Sequence, residues 1–116
     1  MKIGDKVMLY CTAHNMTMVQ FSHMIDADLR QVLSCTCQNT APQFRIICTM
    51  SEKMGVSIRY LMDDNCADTQ KDRFLDDVLK KGYSQYGLYF VKEMLALMQN
   101  LEVRAVEREP FLRVCA

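Results

Sequence analysis

Residues 44–65, FRIICTMSEKMGVSIRYLMDDN, decide how this chain is expected to fold. Apolar side chains occupy every second position on both sides of residues 51–55 (SEKMG): Phe44, Ile46, Cys48 and Met50 before them, and Val56, Ile58, Tyr60 and Met62 after them. A period of two is typical of strands, and a short glycine-containing segment between two such runs is typical of a β-hairpin. The pattern therefore predicts a hairpin over residues 44–65.

The stretch before this hairpin has the pattern of a helix. Residues 26–42 are DADLRQVLSCTCQNTAP. Asp26 or Asp28 is a good N-cap, and the helix is expected to run to about Asn39, with Pro42 preventing any continuation. Upstream, VQFSHMI at 19–25 alternates as an extended segment does. Residues 6–11 fit a strand or a helical turn, and the pattern does not separate the two.

The second half of the chain alternates between the same two kinds of element. We predict a helix over residues 69–81, a strongly apolar helix over residues 87–99, and a closing hairpin over residues 101–116. Interleaved helices and strands with short connections favour an α+β fold. The expected architecture is one domain, residues 1–116, in which helices cover a mixed, mostly antiparallel sheet as a two-layer α/β sandwich.

Composition narrows the classes of function. The 116 residues carry 14 basic and 14 acidic side chains, and half of all residues are apolar. Because nucleic-acid binders are usually basic, no nucleic-acid partner is expected. No apolar run reaches membrane-helix or signal-peptide length, which predicts a cytoplasmic protein without a membrane partner. The six cysteines form no CxxC pair, so they are expected to be reduced, buried apolar residues rather than metal ligands.

Three segments in order resemble the nucleotide-binding boxes of sensor histidine kinases. They are DLRQVLSCTCQNTA at 28–41, IRYLMDDNCAD at 58–68 and QYGLYFVKEMLALM at 85–98. Over about residues 24–116 the chain is thus similar to the ATP-binding domain of that family, in the GHKL ATPase superfamily. The resemblance implies ATP and magnesium as cofactors. It also implies transfer of a phosphoryl group to a histidine supplied by a partner, such as a phospho-accepting histidine domain or a response regulator.

The same resemblance implies where the nucleotide would bind. Asn39 would coordinate the magnesium, Asp64 would accept from the adenine amino group, and Gly87 would admit the phosphates to the backbone. The full implied nucleotide site is Asn39, Asp64, Asn65, Gly87, Leu88 and Lys92.

The boxes depart from the family where its glycines and first asparagine belong. The residues in those places are Cys35, Cys66, Asp68, Tyr83 and Gln85. Side chains there would crowd the phosphates. An alternative function is therefore a protein-interaction module on the same fold that no longer binds nucleotide.

A second alternative is a helix-turn-helix DNA-binding regulator over residues 17–62, with residues 28–35 as the recognition helix and Arg30 at a base edge. At ~100° per residue, Leu29, Val32 and Leu33 share one broad apolar side, which suits a helix lying on a sheet. A recognition helix would expose Leu29 or Leu33 and place Asp28 near phosphates. We therefore expect the ATP-binding domain rather than the DNA-binding one.

Overall fold

Every secondary-structure element in the described backbone is a helix. The computed structural model describes the backbone of residues 1–115 and the side chains of residues 1–101. The elements are α1 (Ile3–Ala13), α2 (Met18–Met24), α3 (Leu29–Gln38), α4 (Phe44–Met54), α5 (Ile58–Met62), α6 (Arg73–Tyr86) and α7 (Leu88–Cys115). The predicted α+β sandwich is wrong, since residues 1–115 form no sheet. Assignment to the histidine-kinase ATP-binding domain is wrong for the same reason.

The first half of the predicted hairpin is helix α4. Its buried side chains Phe44, Ile47 and Met50 follow one another every three residues, which places them on one side of a helix. Ile46 is buried as well. Adjacent buried isoleucines fit the wide apolar stripe of a core helix better than a strand, whose neighbouring side chains point to opposite faces.

The hairpin turn was expected over residues 51–55, but residues 51–54 continue α4, and residues 55–57 end this helix and begin the next. Gly55 has a left-handed backbone (φ 71°) and its N–H donates to the carbonyl of Ser51 at 3.0 Å. The hydroxyl of Ser57 accepts from the N–H of Tyr60 at 3.0 Å and caps α5. A glycine C-cap followed two residues later by a serine N-cap joins two helices, so the predicted hairpin is wrong.

The upstream segments are helical too. The extended segment predicted over residues 19–25 is wrong, because α2 covers most of it. A reciprocal capping box begins α2: the N–H of Gln20 donates to the Thr17 hydroxyl at 3.1 Å, and the Gln20 side chain accepts from the Thr17 N–H at 2.9 Å. Residues 6–11, left open between strand and helix, belong to α1.

The predicted C-terminal helices are present with shifted ends. The helix expected over residues 69–81 begins later, at Arg73, and ends later, at Tyr86. The helix expected from residue 87 begins at Leu88, directly after Gly87, whose φ is 79°. The closing hairpin expected over residues 101–116 is wrong, because α7 continues to Cys115; Ala116 lies outside the described residues.

The chain divides into two compact units, residues 1–77 and residues 78–116. The most buried apolar side chains of the first unit are Val7, Cys11, Phe21, Ile25, Val32, Cys35, Ile47, Met50, Ile58 and Leu61. Within the second unit, Gly82 on α6 contacts the ring of Phe90 on α7, and an added Cβ would overlap that ring. Glycine at position 82 therefore lets α6 and α7 approach each other closely.

A buried lysine holds the C-terminal end of α5. The side chain of Lys6 is 2% exposed, and its ammonium donates to the carbonyls of Tyr60, Asp63 (3.0 Å) and Cys66 (3.3 Å). The same ammonium lies 4.2 Å from the centre of the Tyr60 ring. A cation with all its donors in use is well placed against the negative end of a helix.

A buried aspartate holds the opposite end of α5. Asp76 on α6 is 2% exposed, and its carboxylate accepts from the backbone N–H of Ile58 at 3.0 Å. The second carboxylate oxygen pairs with the ammonium of Lys71 at 2.8 Å. The same ammonium donates to the Ser51 hydroxyl at 2.5 Å. This network joins α5 to the end of α4 and the start of α6.

Candidate functional site

Helices α2 and α3 are consecutive and pack against each other. Only residues 25–28 separate them, and a three- or four-residue turn is typical of a helix-turn-helix. Asp26 takes a left-handed backbone (φ 53°) at the bend, where glycine is common. The N–H of Ala27 donates to the carbonyl of Ser22 at 3.0 Å, which fixes the turn against α2.

Local hydrogen bonds fix the first turn of α3. The carboxylate of Asp28 accepts from the N–H of Arg30 at 3.2 Å, and the side chain of Gln31 accepts from the N–H of Asp28 at 3.0 Å. This is a capping box, and it confirms Asp28 as the N-cap of the predicted helix. The helix therefore starts sharply at Leu29 and presents its N-terminal side chains at defined positions.

The outward face of α3 carries Arg30, Leu33 and Cys37, all exposed. Spacings of three and four residues place them along one stripe. The inward face carries Val32 and Cys35, each 3% exposed, and burial raises the pKa of the Cys35 thiol to about 11. Leu33 was predicted to lie on the broad buried side of the helix. This prediction is wrong, because Leu33 is 40% exposed.

The inward face of α3 packs against α1 and α2. Gly4 of α1 is buried directly under the backbone of α3, and an added Cβ would overlap the carbonyl oxygen of Cys35. The two helices thus approach at backbone distance. This contact fixes how closely α3 lies against α1 and leaves the opposite face of α3 exposed.

An open groove of about 260 Å³ lies beside the outward face. Its lining consists of Arg30, Gln31, Ser34, Thr40, Ala41, Pro42, Gln43 and Ile46. Gln43 is the N-cap of α4 but gives that helix no side-chain cap. Two residues further on, Arg45 is exposed. The groove therefore combines polar side chains, an arginine and the positive end of a helix, groups that suit an anion.

The exposed basic and acidic side chains at this surface are equal in number. Arg30 and Arg45 are exposed, and so are Asp26 and Asp28 in the turn before α3. No ion pair involves the guanidinium of Arg30 among the residues whose side chains are described, so its donors remain open to a ligand. The two aspartates flank the start of α3 and lower the positive potential there.

The residues predicted to bind nucleotide in the first unit lie at helix ends. Asn39 is the exposed C-cap of α3, with a left-handed backbone (φ 53°) and its N–H bonded to the carbonyl of Ser34. Asp64 and Asn65 are exposed in the loop after α5. The carbonyl of Asp64 accepts from the terminal ammonium of Met1 at 2.7 Å. These contacts involve backbone atoms only, so the side-chain roles predicted for Asn39 and Asp64 stay predictions.

The other predicted nucleotide-binding residues lie in the second unit. Gly87 joins α6 to α7, and Leu88 and Lys92 occupy the first turns of α7, where Leu88 is 40% exposed. ATP, magnesium and a phospho-accepting partner were implied by the resemblance to the histidine-kinase ATP-binding domain, an α/β sandwich. Because that fold is not formed by residues 1–115, these predictions lose their structural basis.

Other kinds of site find little support in the described part of the chain. Among the described side chains, no three His, Cys, Asp or Glu residues gather as metal ligands would. The apolar cavity inside the first unit measures about 10 Å³, the space of roughly one water molecule. No described helix combines the length and the apolar character needed to cross a bilayer. The surface around α3 therefore remains the strongest candidate.

Comparison with protein-family models, with curated proteins and with solved structures gives no match to this chain. Functional assignment therefore depends on the geometry of the α2–α3 surface.

Proposed function

We propose that this protein binds duplex DNA through the α2–α3 helix-turn-helix, with α3 in the major groove. The observation that carries the proposal is the four-residue turn with its left-handed Asp26, followed by a capped helix whose outward stripe is exposed. An α-helix with side chains is about 10–12 Å across and the major groove is about 12 Å wide, so the groove admits one helix.

The outward stripe supplies groups that contact bases. Arg30 lies in the first turn of α3, and the N-terminal residues of a recognition helix are those that reach base edges. Its guanidinium suits the O6 and N7 acceptors of guanine. Ser34, one turn further along, lines the adjacent groove and can donate to or accept from a base edge.

The groove beside α3 is the proposed binding site of a DNA phosphate. The N-cap of α4, Gln43, lines this groove, and Arg45 is exposed in the first turn of the same helix. A helix N-terminus and an arginine both attract phosphate oxygens. A phosphate bound in this groove of the protein would set how far α3 enters the major groove of the DNA. Arg45 is therefore assigned to positioning on the DNA backbone, and Arg30 to base recognition.

This proposal departs from the expectation of no nucleic-acid partner. That expectation followed from zero net charge, which describes the whole chain and not one face. The balance of positive and negative side chains around α3 does limit the affinity for DNA. Arg45 is the one arginine assigned to the DNA backbone, so about one phosphate is neutralised, and the logarithm of the binding constant is expected to fall with the logarithm of salt concentration with a slope of about −1.

The test is selection from a library of randomised duplexes, followed by fluorescence anisotropy with the enriched sequence. The wild-type chain is expected to enrich a short motif. Arg30→Ala should weaken binding to that motif about tenfold, the worth of one good base contact. Arg73→Ala is the matched control, because it removes the same charge from an exposed position on α6; it should change binding less than twofold.

Two results would overturn the proposal. One is the absence of both an enriched motif and saturable binding to random duplex at low salt. The other is an equal loss of binding in Arg30→Ala and Arg73→Ala, which would indicate attraction by overall charge alone.

The five cysteines with described side chains are all free thiols, which supports a reducing compartment. The proposal therefore keeps the expected cytoplasmic location, or another compartment that contains DNA and keeps thiols reduced.

Self-association through α7 is a second candidate function. Met94, Leu97 and Leu101 are spaced by three and then four residues, as along a coiled-coil seam, and the two leucines are 53% and 54% exposed. A second copy presents the same seam and is the proposed occupant. Sedimentation of the wild-type chain should show a dimer that Leu97→Asp abolishes; a monomer at every concentration would contradict this candidate.

A further inference from the structure

Leu33 is an unexpected residue on the exposed face of α3. It is 40% exposed and lies between Arg30 and Cys37 along the outward stripe, away from the core side chains Val32 and Cys35. The exposed part of its side chain adds no buried apolar area to the first unit. A ligand that offers an apolar group next to a hydrogen-bonding one would use both Leu33 and Arg30.

We infer that Arg30 and Leu33 recognise two neighbouring base pairs, Arg30 a guanine and Leu33 a thymine through its C5-methyl group. This inference rests on the proposed function and specifies the DNA that the same site prefers. In the major groove, guanine presents two acceptors that match a guanidinium, and thymine alone presents a methyl group. An apolar side chain therefore favours thymine over the other bases.

The spacing of the two residues fits neighbouring bases. Residues three apart in a helix are separated by about 4.5 Å along its axis and stacked bases of one strand by about 3.4 Å, so two such side chains can reach neighbouring bases. The capping box at Asp28 and Gln31 fixes the helix start, so Arg30 is held in the first turn and Leu33 in the next. A guanine and a thymine at adjacent positions of the enriched motif are the expected outcome.

The decisive test removes one methyl group from the DNA. The enriched duplex is prepared with deoxyuridine replacing the candidate thymine, which deletes the C5-methyl group and keeps the base pairing. Wild-type protein should bind this duplex about fivefold more weakly than the thymine duplex. Leu33→Ala should bind both duplexes equally, at the level of wild type on the deoxyuridine duplex. Deoxyuridine at a thymine outside the motif serves as the DNA control.

Arg30 is tested in the same series. Replacing the candidate guanine pair by an adenine pair should weaken wild-type binding about tenfold and leave Arg30→Ala nearly unaffected. Circular dichroism should show the wild-type helix content in Leu33→Ala and Arg30→Ala, and the melting temperature should fall only slightly, because Arg30 is exposed and Leu33 is 40% exposed. Any loss of binding can then be assigned to the contact rather than to unfolding.

The outcomes separate the two proposals. If the protein enriches a motif but binds the deoxyuridine and thymine duplexes equally, the inference about Leu33 is overturned while DNA binding stands. If Leu33→Ala retains the methyl preference, another residue makes that contact and the inference is again overturned. If no duplex is bound at all, the proposed function and this inference fail together.

Discussion

Helices α3 and α5 are stabilised at their ends in opposite ways. The end groups of α3 are satisfied by residues next to it in sequence: Asp28 and Gln31 at its start and the left-handed Asn39 at its end. Ser57 caps the start of α5 in the same local manner, but its charged partners, Asp76 and Lys6, are distant in sequence.

The difference follows from length and position. A five-residue helix is too short to be stable by itself, so it depends on partners elsewhere in the fold. Asp76 at its positive end and Lys6 at its negative end also complement its dipole. The ten-residue α3 fixes its own ends and needs packing on only one side. A helix of that kind can expose a whole face for binding.

The largest expected effect is at Asp76. Asp76→Ala removes the acceptor of the Ile58 N–H and leaves Lys71 without its buried partner, so the free energy of unfolding should fall by about 3 kcal/mol. Urea unfolding followed by circular dichroism measures the change. Asp76→Asn keeps an oxygen acceptor but no charge and should lie between wild type and alanine. If both variants matched wild type, the network would not stabilise α5.

Lys6→Met should be next, lowering the free energy of unfolding at neutral pH by about 2 kcal/mol. The substitution keeps an apolar stem of similar length but leaves the carbonyls of Tyr60, Asp63 and Cys66 without their donor. Lys2→Met is the matched control. Because Lys2 is exposed, this substitution should leave the free energy of unfolding unchanged. Equal effects of the two substitutions would contradict the structural role of Lys6.

Lys6 also predicts a dependence on pH. Burial lowers the pKa of its ammonium below the ordinary 10.5, although the negative charges of Cys66, Asp64 and Asp63 oppose the shift. Between the two pKa values the unfolded chain binds more protons, so the contribution of Lys6 to stability rises with pH up to about 10.5. The difference in unfolding free energy between wild type and Lys6→Met should increase over that window; a decrease would reverse the assigned direction.

Gly4→Ala should lower the free energy of unfolding by about 1.5 kcal/mol. The added methyl overlaps the backbone of α3 at Cys35, and this outweighs the better helix propensity of alanine. Because the substitution displaces α3, it should also weaken any DNA binding. Gly55→Ala is a useful comparison: it meets open space but takes a left-handed backbone, so it should reduce stability by about 1 kcal/mol and leave binding at α3 unchanged.

The smallest effect is expected at the local cap of α3. Asp28→Ala should reduce the free energy of unfolding by about 1 kcal/mol, the usual worth of an N-cap. Asp28→Asn should be nearly silent in stability, because asparagine caps as well as aspartate. The same Asp28→Asn change removes a negative charge beside α3 and should tighten DNA binding at low salt.

The same contrast explains which parts of the fold were predictable. The ends of α3 were located from sequence because Asp28, Pro42 and a polar run around Asn39 lie next to the helix. The adjacent isoleucines 46 and 47 and the pair Gly55 and Ser57 were equally visible, but apolar alternation was given more weight. The contact between Asp76 and Ile58 joins residues 18 positions apart, and no local pattern encodes it.

The candidate site was predicted only in part. Arg30 was placed at a base edge in the helix-turn-helix alternative over residues 17–62, which took residues 28–35 as the recognition helix. Leu33 was assigned to a buried side because a sheet was expected beneath α3. With the α1 backbone there at Gly4 instead, the buried strip narrows to Val32 and Cys35, and Leu33 is left outside.

The burial of Lys6 distinguishes it chemically from the exposed amines of Lys2, Lys53 and Lys81. An amine-reactive reagent should acylate those three in the native protein while Lys6, enclosed by three carbonyls, stays unmodified. Lys6 becomes reactive only when α1 separates from the end of α5. The rate of its acylation, followed by mass spectrometry, therefore measures how often the first unit opens, without any engineered label.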